Sequence, residues 1–146
     1  MMKDVVISIK SIQNYGFDGE ETMEFTSDGY YMVEGDTVCI NYTESEVTGL
    51  EGTRTSIIMM SDKVSVERDG LITSRMVFCE GEKTQFQYNT PYGAATLGID
   101  TRRITRNFNE NGGELELLYV LDMEHAIVTR NKFHITVKQM GENTNG

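Results

Sequence analysis

The sequence predicts an all-β fold: a single antiparallel meander closed into a small barrel. Apolar residues alternate with polar ones over most of the 146 residues, the period of a half-buried strand, and nowhere recur at helical spacing for three turns. Glycine beside an acidic or amide residue punctuates the alternation at Asp28-Gly29, Gly35-Asp36, Asp69-Gly70, Glu80-Gly81 and Asn111-Gly112-Gly113. Connections this short make hairpins, and a long run of hairpins left as an open sheet would expose hydrophobic edges, so the sheet should close. A two-sheet sandwich uses similar patterning but needs a crossover longer than any connection here.

The elements follow from this punctuation. Strands are expected at Val5–Ile12, Glu21–Thr26, Tyr30–Glu34, Thr37–Glu44, Thr53–Ser61, Lys63–Glu67, Leu71–Glu80, Thr84–Thr90, Ala94–Phe108, Glu114–Asp122 and Ala126–Gln139. Asp28-Gly29 divides the second from the third. A two-residue turn at Asp69-Gly70 would point Ile72, Met76 and Phe78 the wrong way. A three-residue loop, Arg68-Asp69-Gly70 with Gly70 left-handed, instead pairs Val66 with Ile72 on one face. Within Ala94–Phe108, Ala95, Leu97 and Ile99 have odd parity but Ile104 and Phe108 even, so a bulge is expected in Asp100–Arg103. In the last hairpin, Leu115, Leu117, Tyr119 and Leu121 share a parity with Ile127, Phe133, Ile135 and Val137 and should face the core. Pairing Leu121 with Ile127 sets Glu116 opposite Lys132 and Glu114 opposite His134. Leu118, Val120 and Val128 then fall on the outer face, where a partner chain, such as a second copy in a homodimer, or a packed segment would cover them.

Length and composition bound the function. One domain is expected, residues 1–140, with a frayed polar tail at 141–146. No stretch approaches the roughly 18 apolar residues of a membrane span, and the N-terminal run Val5-Val6-Ile7 is too short for a signal core, so a soluble cytoplasmic protein is expected, with no membrane partner. A net charge of −10 repels phosphate backbones and disfavours nucleic acid. Arg102, Arg103 and Arg106 form the densest basic cluster. Cys39 and Cys79 are expected to be reduced and structural.

Tyr88-Asn89-Thr90-Pro91-Tyr92-Gly93, Gly98-Ile99-Asp100-Thr101 and Arg130-Asn131-Lys132-Phe133-His134-Ile135, with the earlier Gly49-Leu50-Glu51-Gly52-Thr53-Arg54-Thr55 and Arg68-Asp69-Gly70, resemble the YwiB-like bacterial family of unknown function. The resemblance runs from about Val5 to Lys138. It implies a lipocalin-like, calycin-type barrel in a bacterial cytosolic protein; it carries over no activity and no catalytic residue.

Catalytic motifs find no anchor. His134 alternates with the exposed Lys132 and Lys138, and His125, in the loop after Asp122, has only Asp122 and Glu124 beside it, so no metal site is expected. No phosphate loop, nucleophile elbow or cofactor motif is present. The informative position is Arg106. Beyond the expected bulge it points inward between Ile104 and Phe108, where a guanidinium needs a carboxylate, carbonyls or an anionic ligand. Tyr42, Tyr88, Tyr119 and Asn131 share inward parities. A barrel of about eight strands either fills with side chains or holds one small ligand. Two readings stay open: a lumen for a small, partly apolar or anionic molecule, lined by Arg106, Tyr42, Tyr88, Tyr119 and Asn131 with Tyr92 closing the mouth; or a polar plug in a filled interaction or structural module. An enzyme is not expected.

Overall fold

The computed structural model describes residues 2–16, 19–124 and 126–140. The expected frayed tail at 141–146, and His125, lie outside the described residues. Ten strands form one closed barrel: β1 (Met2–Asn14), β2 (Glu20–Glu34), β3 (Thr37–Thr43), β4 (Arg54–Met59), β5 (Val64–Asp69), β6 (Thr73–Phe78), β7 (Lys83–Thr90), β8 (Gly93–Asn109), β9 (Gly112–Met123) and β10 (Ala126–Gln139). Each strand runs antiparallel to its sequence neighbour, and β10 returns to β1 with Ile9 opposite Ile135. The sheet is left without an edge, which answers the hydrophobic-edge problem of a long meander. Among the described residues no helix is long and apolar enough to cross a membrane.

Four local features depart from or sharpen the sequence reading. First, Asp28-Gly29 is not a turn; β2 runs straight through it. A Cβ at Gly29 would stand 2.4 Å from both the Asn41 carbonyl oxygen and Ile7 Cδ1. Glycine is present because three strands converge there, not because the chain reverses. Second, the β5–β6 register sets Val66 opposite Met76, not Ile72, and Asp69 opposite Thr73. The connection is therefore Gly70–Ile72, and Gly70 is nearly extended (φ 158°) rather than left-handed. Tertiary contact overrides the turn chemistry: Leu71 donates its backbone N–H to Thr53 Oγ1 at 3.1 Å, beside a close approach of Gly70 to Thr53. The facing still holds, with Val66, Ile72, Met76 and Phe78 all buried.

Third, β8 carries its bulge between Thr101 and Arg103, within the expected window, and both Ile99 and Ile104 consequently pack on the core. Fourth, the β9–β10 register departs from the expected one, by one residue at Ile127, which pairs with Asp122, and by two beyond the bulge between Ile127 and Thr129. Glu116 stands opposite His134 and Lys132 opposite Leu118, while Ile127 is turned out, 56% exposed. The expected charge partners survive as diagonal neighbours: Lys132 Nζ lies 3.7 Å from Glu116 and His134 Nε2 lies 3.3 Å from Glu114. Of the three outer apolar residues, Val120 is buried by its own chain and Leu118 half-buried, while Val128 is exposed.

The two ends of the barrel differ. At the end formed by the β2–β3, β4–β5, β6–β7 and β8–β9 turns, Val5, Ile7, Val38, Ile57, Met59, Val64, Phe78 and Leu115 pack a dry core. At the other end stand the β1–β2, β3–β4, β5–β6, β7–β8 and β9–β10 connections. There the interior is polar and incompletely filled. β6 and β7 share a single paired position, Thr73 with Asn89, at this end, and their seam is unpaired from there to the β6–β7 turn.

Candidate ligand cavity

A cavity of about 330 Å³ occupies the lumen at the open end. Alternation places its lining: Tyr42 and Glu44 continue the inward row Val38, Ile40 on β3, and Arg68 continues Val64, Val66 on β5. Phe25, Ile72, Met76, Phe86, Leu121 and Phe133 form apolar walls. Thr48 and Leu50 lie over the mouth, carried by the excursion between β3 and β4. That excursion is anchored at its neck, where Glu44 N–H donates to the Thr53 carbonyl at 2.7 Å and Gly52 N–H to the Glu44 carbonyl at 3.1 Å. Its single 3-10 turn, Glu46–Thr48, is capped by Ser45 and ended by Gly49 in the left-handed conformation (φ 77°).

Two charged side chains enter this apolar space, each with one enclosed polar atom left unpartnered. Arg68 Nε is buried and has no hydrogen-bond partner, and Nη1 meets only Met76 Sδ at 3.8 Å. Among the described residues, none of the ion pairs involves Arg68 or Glu44. Glu44 is 4% exposed, and its Oε2 is likewise unpartnered. Both groups act on the Tyr42 hydroxyl. Burial pushes Tyr42 far above the usual phenol range, the Glu44 carboxylate adds to the rise, and Arg68 opposes it. Burial also raises Tyr119, again against Arg68. One guanidinium thus acts on both tyrosines, and it lines the same cavity as the Glu44 carboxylate. Further unpartnered polar atoms, Thr55 Oγ1 and Asn131 Oδ1, are buried on the same inner wall.

The sequence-predicted residues divide. Tyr42, Tyr88 and Tyr119 come together on the cavity. Asn131 is buried opposite Tyr119 and Gln13, its amide donating to Thr129 Oγ1 at 2.8 Å, and it does not line the cavity. Arg106 faces inward as expected but at the opposite, dry end. Its Nη1 donates to the Met60 carbonyl at 2.6 Å and its Nη2 to the Asp36 carbonyl at 3.3 Å, strapping two turns together. Tyr31, near Arg106, donates to the Asn109 carbonyl at 2.6 Å and closes that end further. Tyr92 sits at the β7–β8 turn, 98% exposed, and covers nothing. Arg68 and Glu44 were missed by the sequence reading. Parity would have found both: Arg68 follows Val64 and Val66 by twos, but assigning it to the turn removed it from the strand. Glu44 follows Tyr42 in the same way.

No group of three His, Cys, Asp or Glu converges among the described residues. Cys39 and Cys79 are free, and burial raises both thiols, so neither is an activated thiolate.

The chain is similar to the uncharacterized β-barrel protein YwiB of Bacillus subtilis (strain 168), 26% identical over 116 residues that cover 79% of each chain. The crystal structure of the ywiB protein from Bacillus subtilis superposes with a TM-score of 0.82 at 23% identity, over 94% of this chain and 92% of that one. A likeness at that identity establishes the fold. Residues 7–135 match the family model described as Domain of unknown function (DUF1934), and the chain belongs to that YwiB-like family.

Proposed function

We propose that this protein is a cytoplasmic small-molecule-binding barrel, lipocalin-like in using its lumen, that takes up a small, partly apolar molecule bearing an anionic group and performs no chemistry on it. The observation that carries this reading is the Arg68 guanidinium, directed into a cavity of about 330 Å³ with its Nε buried and unpartnered. Arg68 is half-buried and its enclosed Nε forgoes a hydrogen bond, a cost that a purely structural barrel would avoid with an apolar side chain. The dry end of the same barrel is packed in that way, and its one inward guanidinium, Arg106, is satisfied by two carbonyls. An anionic ligand would give Arg68 the charge-assisted hydrogen bonds that the chain withholds. A few convergent polar groups in an apolar concavity are the usual composition of a small-molecule site.

Native mass spectrometry of protein purified without organic solvent tests the reading. A mass excess that disappears on denaturation, and that is lost in Arg68→Met, is the expected result. A bare mass, combined with no thermal stabilisation by any member of a panel of small carboxylates, phosphates and sulfonates, would overturn it.

A further inference from the structure

The cavity holds two unsatisfied charges of opposite sign, and they bear on what kind of molecule fits. Glu44 is 4% exposed, lines the cavity and has a carboxylate oxygen without a partner. Arg68 lines the same cavity with an unpartnered Nε. The two stand further apart than an ion pair, since no contact within 4.0 Å joins them, yet both act on the Tyr42 hydroxyl, which hydrogen-bonds to Glu44. A purely anionic ligand would satisfy Arg68 and leave the Glu44 carboxylate, hydrogen-bonded to Tyr42 but with Oε2 unpartnered, facing a second negative charge. A purely cationic one would do the reverse. Two opposite charges on one cavity wall, not paired with each other, call for a head group that brings both an anion and a donor cation. The rest of the wall is apolar and rich in rings: Phe25, Phe86, Phe133 and Tyr119 face an aliphatic or aromatic body. A volume of about 330 Å³ corresponds to about eleven water-sized groups, which limits that body to a short chain or a single ring.

We infer that the lumen takes an α-amino-acid-like zwitterion with an apolar side chain, its carboxylate on the Arg68 guanidinium, its ammonium on the Glu44 carboxylate and its side chain among the rings. The inference rests on the lumen-binding reading above and deepens it.

Isothermal titration calorimetry with leucine, methionine and phenylalanine, each beside its deaminated and its decarboxylated analogue, tests it on the wild-type protein alone. At least one amino acid should bind at least tenfold more tightly than both of its analogues. Glu44→Gln should then remove the preference over the deaminated analogue, and Arg68→Met the preference over the decarboxylated one, with circular dichroism confirming that each variant folds. Deaminated acids that bind as well as or better than the amino acids would overturn the zwitterion while leaving an anion-binding lumen intact. No heat with any of the compounds would overturn it as well, and native mass spectrometry then separates the cases. A retained molecule without an ammonium group keeps the lumen reading, whereas a bare protein removes both.

Discussion

Gly29→Ala is a backbone-neutral change in φ, since Gly29 is not in the left-handed region, so its whole cost is steric. The added Cβ would meet the Asn41 carbonyl oxygen and Ile7 Cδ1 at 2.4 Å each, about 1 Å inside ordinary contact, and Tyr42 Cβ at 3.3 Å. The Ile7 methyl is the tip of a flexible side chain and can leave its rotamer for about 0.5–1.5 kcal/mol. The Asn41 carbonyl cannot turn away, because it belongs to β3 where the β2–β3 ladder begins with Gly29 opposite Tyr42. Overpacking of a dense core costs about 1–3 kcal/mol, and the two contacts together should reach about 3 kcal/mol. Urea denaturation should show a midpoint lower by about 1 M or more with an unchanged slope. Ile7→Val removes the clashing methyl at a cost of about 1 kcal/mol on its own, so the double variant should be less destabilised than the sum of the singles. A loss below about 0.5 kcal/mol, or strict additivity, would refute the convergence of β1, β2 and β3 that fixes Tyr42 in the cavity wall.

The two inward arginines should behave oppositely. Arg106→Met cuts the strap to Met60 and Asp36 and should cost about 1.5–3 kcal/mol in a denaturation series while leaving lumen binding unchanged. Arg68→Met removes an unpartnered charge from an apolar site and should leave stability unchanged or higher while abolishing binding; equal effects of both changes on either readout would contradict the division of the lumen. Stability should also fall at alkaline pH. Tyr42 and Tyr119 have raised folded-state values, so their contribution is intact below the free phenol value of about 10 and is lost as the pH climbs above it. A chemical-denaturation series from pH 8 to 11.5 should begin to decline near pH 9, where the raised Cys39 and Cys79 thiols start to lose their contribution, and should steepen beyond pH 10, with the steep part reduced in Tyr42→Phe; a decline that begins near neutrality would count against it. Hydrogen exchange should be fastest, among strand amides, along the β6–β7 seam with its single paired position, and protection there equal to that of β8–β9 would refute the loose seam.

Much of this fold was legible because side-chain parity is local. The period-2 pattern named the inner face of nearly every strand, and the mismatch between Ile99 and Ile104 located the β8 bulge to within a few residues. Register was less legible, because it depends on contacts remote in sequence. Nothing near Asp69-Gly70 announces that Thr53 will hold Leu71, and nothing near Ile127 announces the bulge that turns it outward. Gly29 reads as punctuation unless its neighbours across the sheet are known. The site followed the same division. The tyrosines were found by parity, whereas Arg68 was concealed by a misplaced turn, and Arg106, correctly turned inward, was set in the wrong half. Parity gives the face of a residue but not its height along the barrel axis.

Methionine methyl resonances test the central claim, a ligand in the open half of the lumen, most directly. Met76 and Met23 line the cavity, and Met59 is fully buried in the core. Addition of the tightest-binding small molecule to protein labelled with 13C at the methionine methyls should shift the resonances of Met76 and Met23 and leave that of Met59 in place. Shifts confined to surface methionines, or a spectrum without change at saturating ligand, would contradict a binding lumen in this barrel.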